Sequence, residues 1–388
     1  MAITPTPAAG TRRFDVCIRG AGVVGQTLAL LLARERLRVA LVGTPRPTHA
    51  GTDVRAYALN AAAKDLLSSL RAWPDDGDAT DAAPSVTPVG RMAVWGDDGG
   101  ELNFSAADQR SEALSWIVDV PALERRLANA VRFQGAIECL TEPVPAALTV
   151  VCEGKRSSTR DELGLEFEVK PYPHKAIAAR LRCGQPHGGV ARQWFSQGEI
   201  MALLPLEGDT GNSVALVWSV PVQQADTWLA ADAQALADAV QTRCGQALGE
   251  MQLQGPAQAW PLELSRARRW IARTPQGSVA LAGDAAHAMH PLAGQGLNVG
   301  LADVAELARV IHEREYWREL GDLKLLRRYE RARQAEVGAM GWLTDGLFGL
   351  FGQADSRVQA LRNWGMSGVD RLGPLKHWLA RQAMGQAG

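Results

Sequence analysis

The sequence predicts an α/β fold in which a parallel β-α-β unit, an inserted antiparallel β-sheet and C-terminal helices follow one another. Near the N-terminus an apolar strand runs directly into a glycine-rich turn and an apolar helix. A second strand and turn at 277–298 lead into another helix that starts near Asn298, and residues 165–220 form short strand-like runs between polar turns. With 388 residues, the chain is long enough for more than one simple domain.

The N-terminal unit places three glycines, at a Gly-x-Gly-x-x-Gly spacing, between a strand at 14–19 and the following helix. Gly20 permits a tight turn, Gly22 leaves room for a pyrophosphate, and Gly25 lets the helix pack closely on the strand. A second strand at 38–42 completes the β-α-β unit. The pattern therefore predicts a dinucleotide site at this turn.

The end of the second strand departs from the usual form of such units, because Gly43 stands where an acidic residue is expected. An Asp or Glu at that place would bind the adenosine ribose. No acidic residue follows until Asp53. We therefore expect the adenosine half either to be held by water and backbone or to be bound more weakly, with the pyrophosphate site retained.

The stretch 277–298 begins with a buried strand at 279–282, which ends at Gly283 and Asp284. A loop rich in glycine follows, and a helix starts near Asn298. A carboxylate at a strand end can accept hydrogen bonds from a sugar hydroxyl, and a helix N-terminus favours an anion or a ring that develops negative charge. The alternative is a tight strand-to-helix turn in which Asp284 only caps the helix.

The stretch contains Gly-Asp-Ala-Ala-His at 283–287, followed by Pro291 and by Gly-Gln-Gly-Leu-Asn at 294–298. This motif resembles the second flavin motif of FAD-dependent aromatic hydroxylases. The similarity is greatest to the ubiquinone-biosynthesis branch of that family. It implies that Asp284 binds the ribityl chain and that Pro291 and 294–298 lie against the isoalloxazine ring.

Two further segments resemble motifs of the same family. Arg55, in an Asp-x-Arg segment, would place a cation near the flavin or its phosphates; the alternative is a surface arginine paired with Asp53. Glu153-Gly154 follows a strand at 147–152 and resembles the Asp-Gly motif that serves both FAD and the nicotinamide cofactor. Glutamate reaches about one methylene further than the usual aspartate, and the alternative is a plain strand-to-turn junction. Where the family has Glu-Asn, this chain has Asp119-Val120, so the resemblance implies no flavin contact there.

The resemblance thus implies a set of FAD-binding residues: Gly20, Gly22, Gly25, Arg55, Glu153, Gly154, Gly283, Asp284, Pro291, Gly294, Gln295, Gly296, Leu297 and Asn298. It also implies a Rossmann-like FAD-binding domain of the para-hydroxybenzoate hydroxylase type, with an inserted antiparallel substrate domain. The predicted domains are an FAD-binding β-α-β unit at 13–73, substrate-domain strands at 89–120, a second part of the FAD domain at 121–164, the antiparallel-sheet substrate domain at 165–270, the ribityl and isoalloxazine motif of the FAD domain at 277–315, and a helical region at 316–388.

The chemistry implied by the resemblance is that of a flavin monooxygenase. NAD(P)H would reduce non-covalent FAD, and O2 would give a C4a-hydroperoxide that hydroxylates a phenol, here a polyprenylated phenol on the path to ubiquinone. No second Gly-x-Gly-x-x-Gly is present, so NAD(P)H is expected to be a transient co-substrate. No catalytic base stands out. A hydroxylase of a soluble aromatic, a prenyl reductase and a non-catalytic flavin-binding subunit of a biosynthetic complex remain alternatives.

Composition limits the partners. A net charge of −1 gives no indication of nucleic-acid binding, and five scattered cysteines without a Cys-x-x-Cys indicate reduced thiols in a cytoplasmic protein with no metal site. The N-terminal segment lacks the apolar core of a signal peptide, and no apolar run is long enough to span a membrane. A C-terminal aromatic and aliphatic cluster suggests peripheral contact with the inner membrane or a biosynthetic complex, with packing on the flavin domain as the alternative: Trp342, Leu343, Phe348 and Phe351.

Overall fold

The structure is a computed structural model that describes residues 14–43, 53–74, 85–96, 99–206, 210–288 and 296–351. The side chains of 340 and 342–351 lie outside that description. The strands are β1 (Val16–Arg19), β2 (Val39–Val42), β3 (Ala56–Leu59), β4 (Val86–Val89), β5 (Arg91–Trp95), β6 (Glu101–Ser105), β7 (Ser115–Asp119), β8 (Ile137–Leu140), β9 (Leu148–Val151), β10 (Phe167–Cys183), β11 (Val190–Ser196), β12 (Glu199–Leu206), β13 (Ser213–Pro221), β14 (Met251–Leu253), β15 (Gln258–Ala267), β16 (Ile271–Thr274), β17 (Gly277–Leu281) and β18 (His287–Ala288). The helices are α1 (Val23–Arg34), α2 (Ala61–Ser69), α3 (Val120–Arg132), α4 (Ser158–Glu162), α5 (Val222–Ala230), α6 (Ala233–Arg243), α7 (Gly296–His312) and α8 (Leu323–Phe351).

The first sheet has the strand order β16-β17-β9-β1-β2-β8 and is parallel except for the β16–β17 hairpin. Its strands are short apolar runs that are buried on both faces, as expected for parallel strands covered by helices. Helices α1, α3, α7 and α8 share one hydrophobic core with this sheet. The register pairs the last residues of β1, β9 and β17 side by side, so the chain leaves these three strands at one edge.

The second sheet is antiparallel apart from one pair and has the order β18-β15-β10-β13-β12-β11-β5-β6, with β14 beside β10. One face packs against α5 and α6 and buries Trp218. The other face carries Ala202, Leu204 and Ala215, which pack against residues of the small sheet β3-β7-β4. The alternation of these side chains along each strand explains why both faces are covered.

The predicted α/β architecture, with a β-α-β nucleotide unit, an antiparallel sheet and C-terminal helices, is therefore confirmed. The β-α-β unit occurs where the glycine spacing predicted it, and β17 followed by α7 occurs where the second motif predicted a strand and a helix. The division of the chain into domains at the boundaries given above stays a prediction.

Candidate functional site

The turn between β1 and α1 contains three glycines; a side chain would collide with the backbone at two of them and would meet nothing at the third. Gly20 has a φ of +115°, and a Cβ there would lie 2.3 Å from the carbonyl oxygen of Cys152. A Cβ on Gly25 would lie 1.9 Å from the carbonyl oxygen of Gly20, so α1 can sit against the strand only without a side chain. At Gly22, by contrast, a Cβ would meet nothing within 4 Å. The turn therefore presents a bare, accessible backbone at Gly22, directly before the N-terminus of α1, which fits a pyrophosphate.

Gly43 explains why the usual acidic residue is missing. It follows β2 with a φ of +131°, a backbone region that L side chains rarely adopt, and a Cβ there would lie 3.2 Å from the backbone nitrogen of Ala21. Its own N–H donates to the carbonyl oxygen of Leu140 at 3.0 Å. The local backbone thus favours glycine over the Asp or Glu that would bind a ribose.

Asp284 lies at the same edge, in the 3-10 turn Gly283–Ala285 that follows β17. Gly283 and Ala285 are buried, whereas the Asp284 side chain is exposed. Protein surrounds the carboxylate on most sides, and this desolvation raises its pKa, opposed by the nearby His287 and Lys155 side chains. None of the described residues donates a hydrogen bond to it. The carboxylate is therefore available to a ligand, which fits a ribityl hydroxyl better than a helix cap.

Behind Asp284 lies a buried network that sequence reasoning missed. Asp303 of α7 accepts hydrogen bonds from the Gly283 N–H at 2.8 Å and from Nε2 of His287 at 2.7 Å, and it pairs with Arg333 of α8 at 2.9 Å. The Trp270 ring stacks on the His287 ring with their centroids 5.0 Å apart. The available signal was a carboxylate on the otherwise apolar face of α7, between Leu301 and Val304.

Glu153 follows β9, and its carboxylate is occupied within the protein. It accepts hydrogen bonds from Oγ of Ser157 at 2.7 Å and from the backbone and hydroxyl of Thr159 at 3.1 and 2.6 Å. It also pairs with Arg19 at 3.0 Å. Burial would raise the pKa of Glu153, but the Thr159 and Ser157 hydrogen bonds outweigh it and hold the pKa below its usual value. Glu153 therefore ties β1 to the start of α4, a stronger structural role than a plain turn, and Gly154 beside it has a φ of +79°.

The pKa shift of Glu153 predicts that Glu153→Gln loses stability in a pH-dependent manner. We expect the substitution to cost about 1–2 kcal/mol at pH 7, because Gln cannot accept every bond that the carboxylate accepts. A lowered native pKa stabilises the fold above the unfolded value of about 4.3 and ceases to do so as the pH falls through the native value. The gap in Tm between the apoproteins should therefore narrow below pH about 4. Glu162→Gln, an exposed carboxylate on α4, is the control and should show no gap. A gap that widens in acid would contradict this assignment.

Arg55 forms the ion pair with Asp53 that was the alternative to a flavin contact. Its guanidinium donates to Asp53 at 2.8 and 2.5 Å and lies 3.6 Å from Glu124. The carbonyl oxygen of Arg55 accepts from Arg180 of β10, whose other end nitrogen donates to Asp119 at 2.9 Å. This charged cluster joins the antiparallel sheet to β3 and α3. The prediction that Arg55 lies by the flavin stays a prediction.

The N-terminal part of α7 is fixed to β3 and α2 by Asn298. Its Oδ1 accepts from the Asn60 N–H at 3.0 Å, and its Nδ2 donates to the carbonyl oxygen of Ala58 at 2.8 Å. Leu297 is half-buried, and a Cβ on Gly296 would meet nothing within 4 Å. Three residues of the predicted set lie outside the described residues: Pro291, Gly294 and Gln295.

For metal binding and membrane spans, the structure gives information only on the described residues. No group of three or more metal-ligating side chains occurs among them. In that part of the chain no helix is long and apolar enough to cross a membrane. The side chains of the predicted C-terminal cluster lie outside the described residues: Trp342, Leu343, Phe348 and Phe351.

The fold and the site together define a dinucleotide-binding protein. An open glycine turn, a carboxylate to which none of the described residues donates a hydrogen bond, and a helix N-terminus meet at the carboxyl edge of a parallel sheet, where α/β proteins bind dinucleotides. A family profile described as "FAD binding domain" matches residues 127–341. The chain belongs to this family and is an FAD-dependent monooxygenase of the aromatic hydroxylase class.

Individual relatives agree over nearly the whole length. The chain is 30% identical over 400 residues to the ubiquinone hydroxylase UbiL of Rhodospirillum rubrum, covering 98% of this chain and 92% of the relative. It is 28% identical to the 3-demethoxyubiquinol 3-hydroxylase of Escherichia coli, with coverages of 96% and 98%. Among solved structures, p-nitrophenol 4-monooxygenase PnpA of Pseudomonas putida superposes with a TM-score of 0.74 at 16% identity, covering 97% of this chain and 99% of that one. An HpxO variant of Klebsiella pneumoniae complexed with FAD gives a TM-score of 0.71 at 16% identity, with coverages of 96% and 99%.

Proposed function

We propose that this protein hydroxylates the phenolic ring of a polyprenylated precursor of ubiquinone, with NAD(P)H as a transient electron donor and O2 as the oxygen source. The observation that carries the proposal is the similarity, over nearly the full length of both chains, to relatives that are named ubiquinone hydroxylases. The geometry of the candidate site supports it, because the open glycine turn and the Asp284 carboxylate lie at one edge of the parallel sheet.

The residues of the site would divide the binding of FAD between them. The backbone at Gly22 and the N-terminus of α1 would take the pyrophosphate, and Asp284 would accept a hydrogen bond from the ribityl chain. The segment 291–298 would lie against the isoalloxazine ring. Bound FAD would supply the redox chemistry, carrying electrons from NAD(P)H to O2 and one oxygen atom to the substrate. We assign the adenosine ribose no side chain, because Gly43 offers none.

We propose that the substrate ring lies near one buried hydroxyl of the antiparallel sheet, that of Ser219. Along β13, Trp218 and Val220 point to the core with α5 and α6, so Ser219 points to the opposite face, where its cross-strand neighbours are Ala176 and Ile200. Ser219 is 5% exposed, and its Oγ finds no hydrogen-bond partner among the described residues. A buried hydroxyl without a partner is costly. We propose that the polar group of a phenol satisfies it, while the small side chain of Ala176 leaves room for the ring.

The polyprenyl chain of the substrate would bring the protein to a membrane surface. A polyprenyl chain partitions into the bilayer, at about 0.8 kcal/mol for each buried CH2. We propose that the protein contacts the inner membrane or a biosynthetic complex peripherally through the region 316–388. The support for this is the amphipathic composition of that region, which mixes aromatic and aliphatic residues with Arg and Lys.

The proposal is tested by single-turnover oxidation of the purified holoprotein. The flavin is reduced anaerobically with NADH or NADPH, O2 is admitted, and products are analysed with a short-chain prenylphenol, with the bare phenol and without substrate. We expect hydroxylated prenylphenol and less free peroxide than in the substrate-free control, because a bound substrate takes up the oxygen atom that would otherwise be released as peroxide, and a site that excludes water limits this side reaction. Faster hydroxylation of the bare phenol would favour a hydroxylase of soluble aromatics. Flavin that is never reduced, with any phenol, would favour a non-catalytic subunit.

A further inference from the structure

The carboxylate of Asp303 is fully buried and is held by three donors, two from the turn 283–287 and one from α8. Its exposed fraction is 0%, and those of His287 and Arg333 are 3% each. A buried charge is costly unless it is paired and its lone pairs are satisfied, and a leucine at this point of α7 would avoid that cost. The arrangement is therefore expected to serve a purpose beyond packing.

The donors to Asp303 bracket Asp284 in the chain. The Gly283 N–H precedes Asp284 by one residue and the His287 ring follows it by three, and both end on the same oxygen, Oδ2. The two ends of this short turn are thus held inward at one point. Asp284, which lies between them, is directed outward and is exposed.

The position of Asp303 is itself fixed by close packing. Gly300, three residues earlier on the same face of α7, allows the helix to approach the turn, because a Cβ there would lie 3.4 Å from Cα of Gly283 and 3.0 Å from Cγ2 of Val24. Arg333 of α8 holds the second oxygen of Asp303 and also contacts the carbonyl oxygen of Val299. The helices α7 and α8 therefore determine where the turn lies.

We infer that Asp303 is a positioning residue that aims the Asp284 carboxylate at the ribityl chain of FAD, acting through the Gly283 N–H and the His287 ring. The inference rests on the proposed role of Asp284 in binding FAD. It requires no contact between Asp303 and the cofactor.

Asparagine cannot replace Asp303 in this arrangement. If the amide oxygen faces Gly283 and His287, the amide NH2 faces the donors of Arg333. If the amide is turned, its NH2 faces the Gly283 N–H, which then loses its acceptor. The first orientation loses the ion pair that holds Asp303 to Arg333 of α8, and the second releases the Gly283 end of the turn. Asp303→Asn should therefore displace Asp284 while nearly conserving the volume of the side chain.

The test is a double-mutant cycle on FAD binding to the apoprotein, followed by the quenching of flavin fluorescence. We expect Asp303→Asn to raise the Kd for FAD about tenfold when Asp284 is present, equivalent to about 1.4 kcal/mol, and less than about twofold in an Asp284→Ala background. The Tm of each apoprotein is measured in parallel, because a purely structural effect lowers stability equally in both backgrounds. Glu306→Gln, one turn further along α7, removes a carboxylate that pairs with Arg309 and serves as the matched control.

His287→Phe is the second variant, and it keeps an aromatic ring against Trp270 while removing Nε2. It should weaken FAD binding in the same Asp284-dependent manner, and it provides the test if Asp303→Asn does not fold. An equal loss of affinity with and without Asp284 would overturn the positioning role and leave the proposed flavin site intact. An Asp284→Ala protein that binds FAD as well as the wild type would overturn both the site and the inference.

Discussion

Gly25→Ala should destabilise the apoprotein by about 3 kcal/mol or more. The added Cβ would lie 1.9 Å from the carbonyl oxygen of Gly20 and 3.4 Å from Cβ of Cys152. The nearer atom belongs to the backbone, so it cannot move aside as the end of a flexible side chain could. Urea denaturation of the apoprotein measures this loss in the free energy of unfolding, and a variant that cannot be obtained folded would also agree with the prediction.

Gly22→Ala is the matched control, since it adds the same methyl group to the same turn. Its φ is −79°, and a Cβ would meet nothing within 4 Å, so stability should change by less than about 1 kcal/mol. The Kd for FAD should nevertheless rise about tenfold, because the methyl occupies the space through which a pyrophosphate approaches. Gly22→Ala with unchanged FAD affinity would place the pyrophosphate elsewhere, and a stable Gly25→Ala would refute the packing argument.

Asp284→Ala should raise the Kd for FAD by roughly ten- to hundredfold, because a hydrogen bond to a charged group contributes about 1.5–3 kcal/mol. Its effect on the Tm of the apoprotein should be small, since the side chain is exposed and accepts no hydrogen bond from the described residues. Glu153→Gln should show the opposite pattern, because its acceptors are already engaged by Thr159, Ser157 and Arg19. Equal losses of FAD affinity in the two variants would show that the roles are wrongly divided.

The raised pKa of Asp284 adds a pH signature to this prediction. Desolvation by the protein around this exposed side chain shifts the pKa upward, so the carboxylate takes up its proton at a higher pH than an ordinary aspartate does. A protonated carboxyl is a poorer acceptor, and FAD affinity should therefore weaken as the pH falls through that value. Asp284→Asn should bind FAD less tightly at pH 7 and should lose this component of the pH dependence.

The parts of the fold that the sequence predicted are those determined by local backbone geometry. Gly20, Gly25 and Gly283 occupy places where a side chain would collide or where φ is positive, so their spacing marks a turn that few other residues can form. Apolar runs such as those of β1 and β17 likewise carry their own signal, because parallel strands are buried on both faces. These features require no knowledge of distant partners.

The parts that the sequence did not predict depend on residues far apart in the chain. Asn298 binds Asn60, and Asp303 is paired with Arg333 through helices whose relative position only the fold defines. The hydrogen bonds that Glu153 accepts from Ser157 and Thr159 were likewise not predicted, and its role toward the cofactor stays a prediction. A helical pattern assigns a lone aspartate to a surface or a cap, and for this reason the burial of Asp303 had no counterpart in the sequence analysis.

The strand order of the parallel sheet has a consequence for how the protein is made. Strand β9 pairs on one side with β1 and on the other with β17, whose paired residues lie at 148–151 and 278–281. During translation, the edge of β9 that pairs with β17 therefore stays unpaired while the segment from β10 to β15 is synthesised. An unpaired strand edge invites association with other chains, so the nascent protein is most vulnerable during that interval. Asp284 emerges only after β17, and the cofactor can begin to stabilise the fold only in the last third of translation.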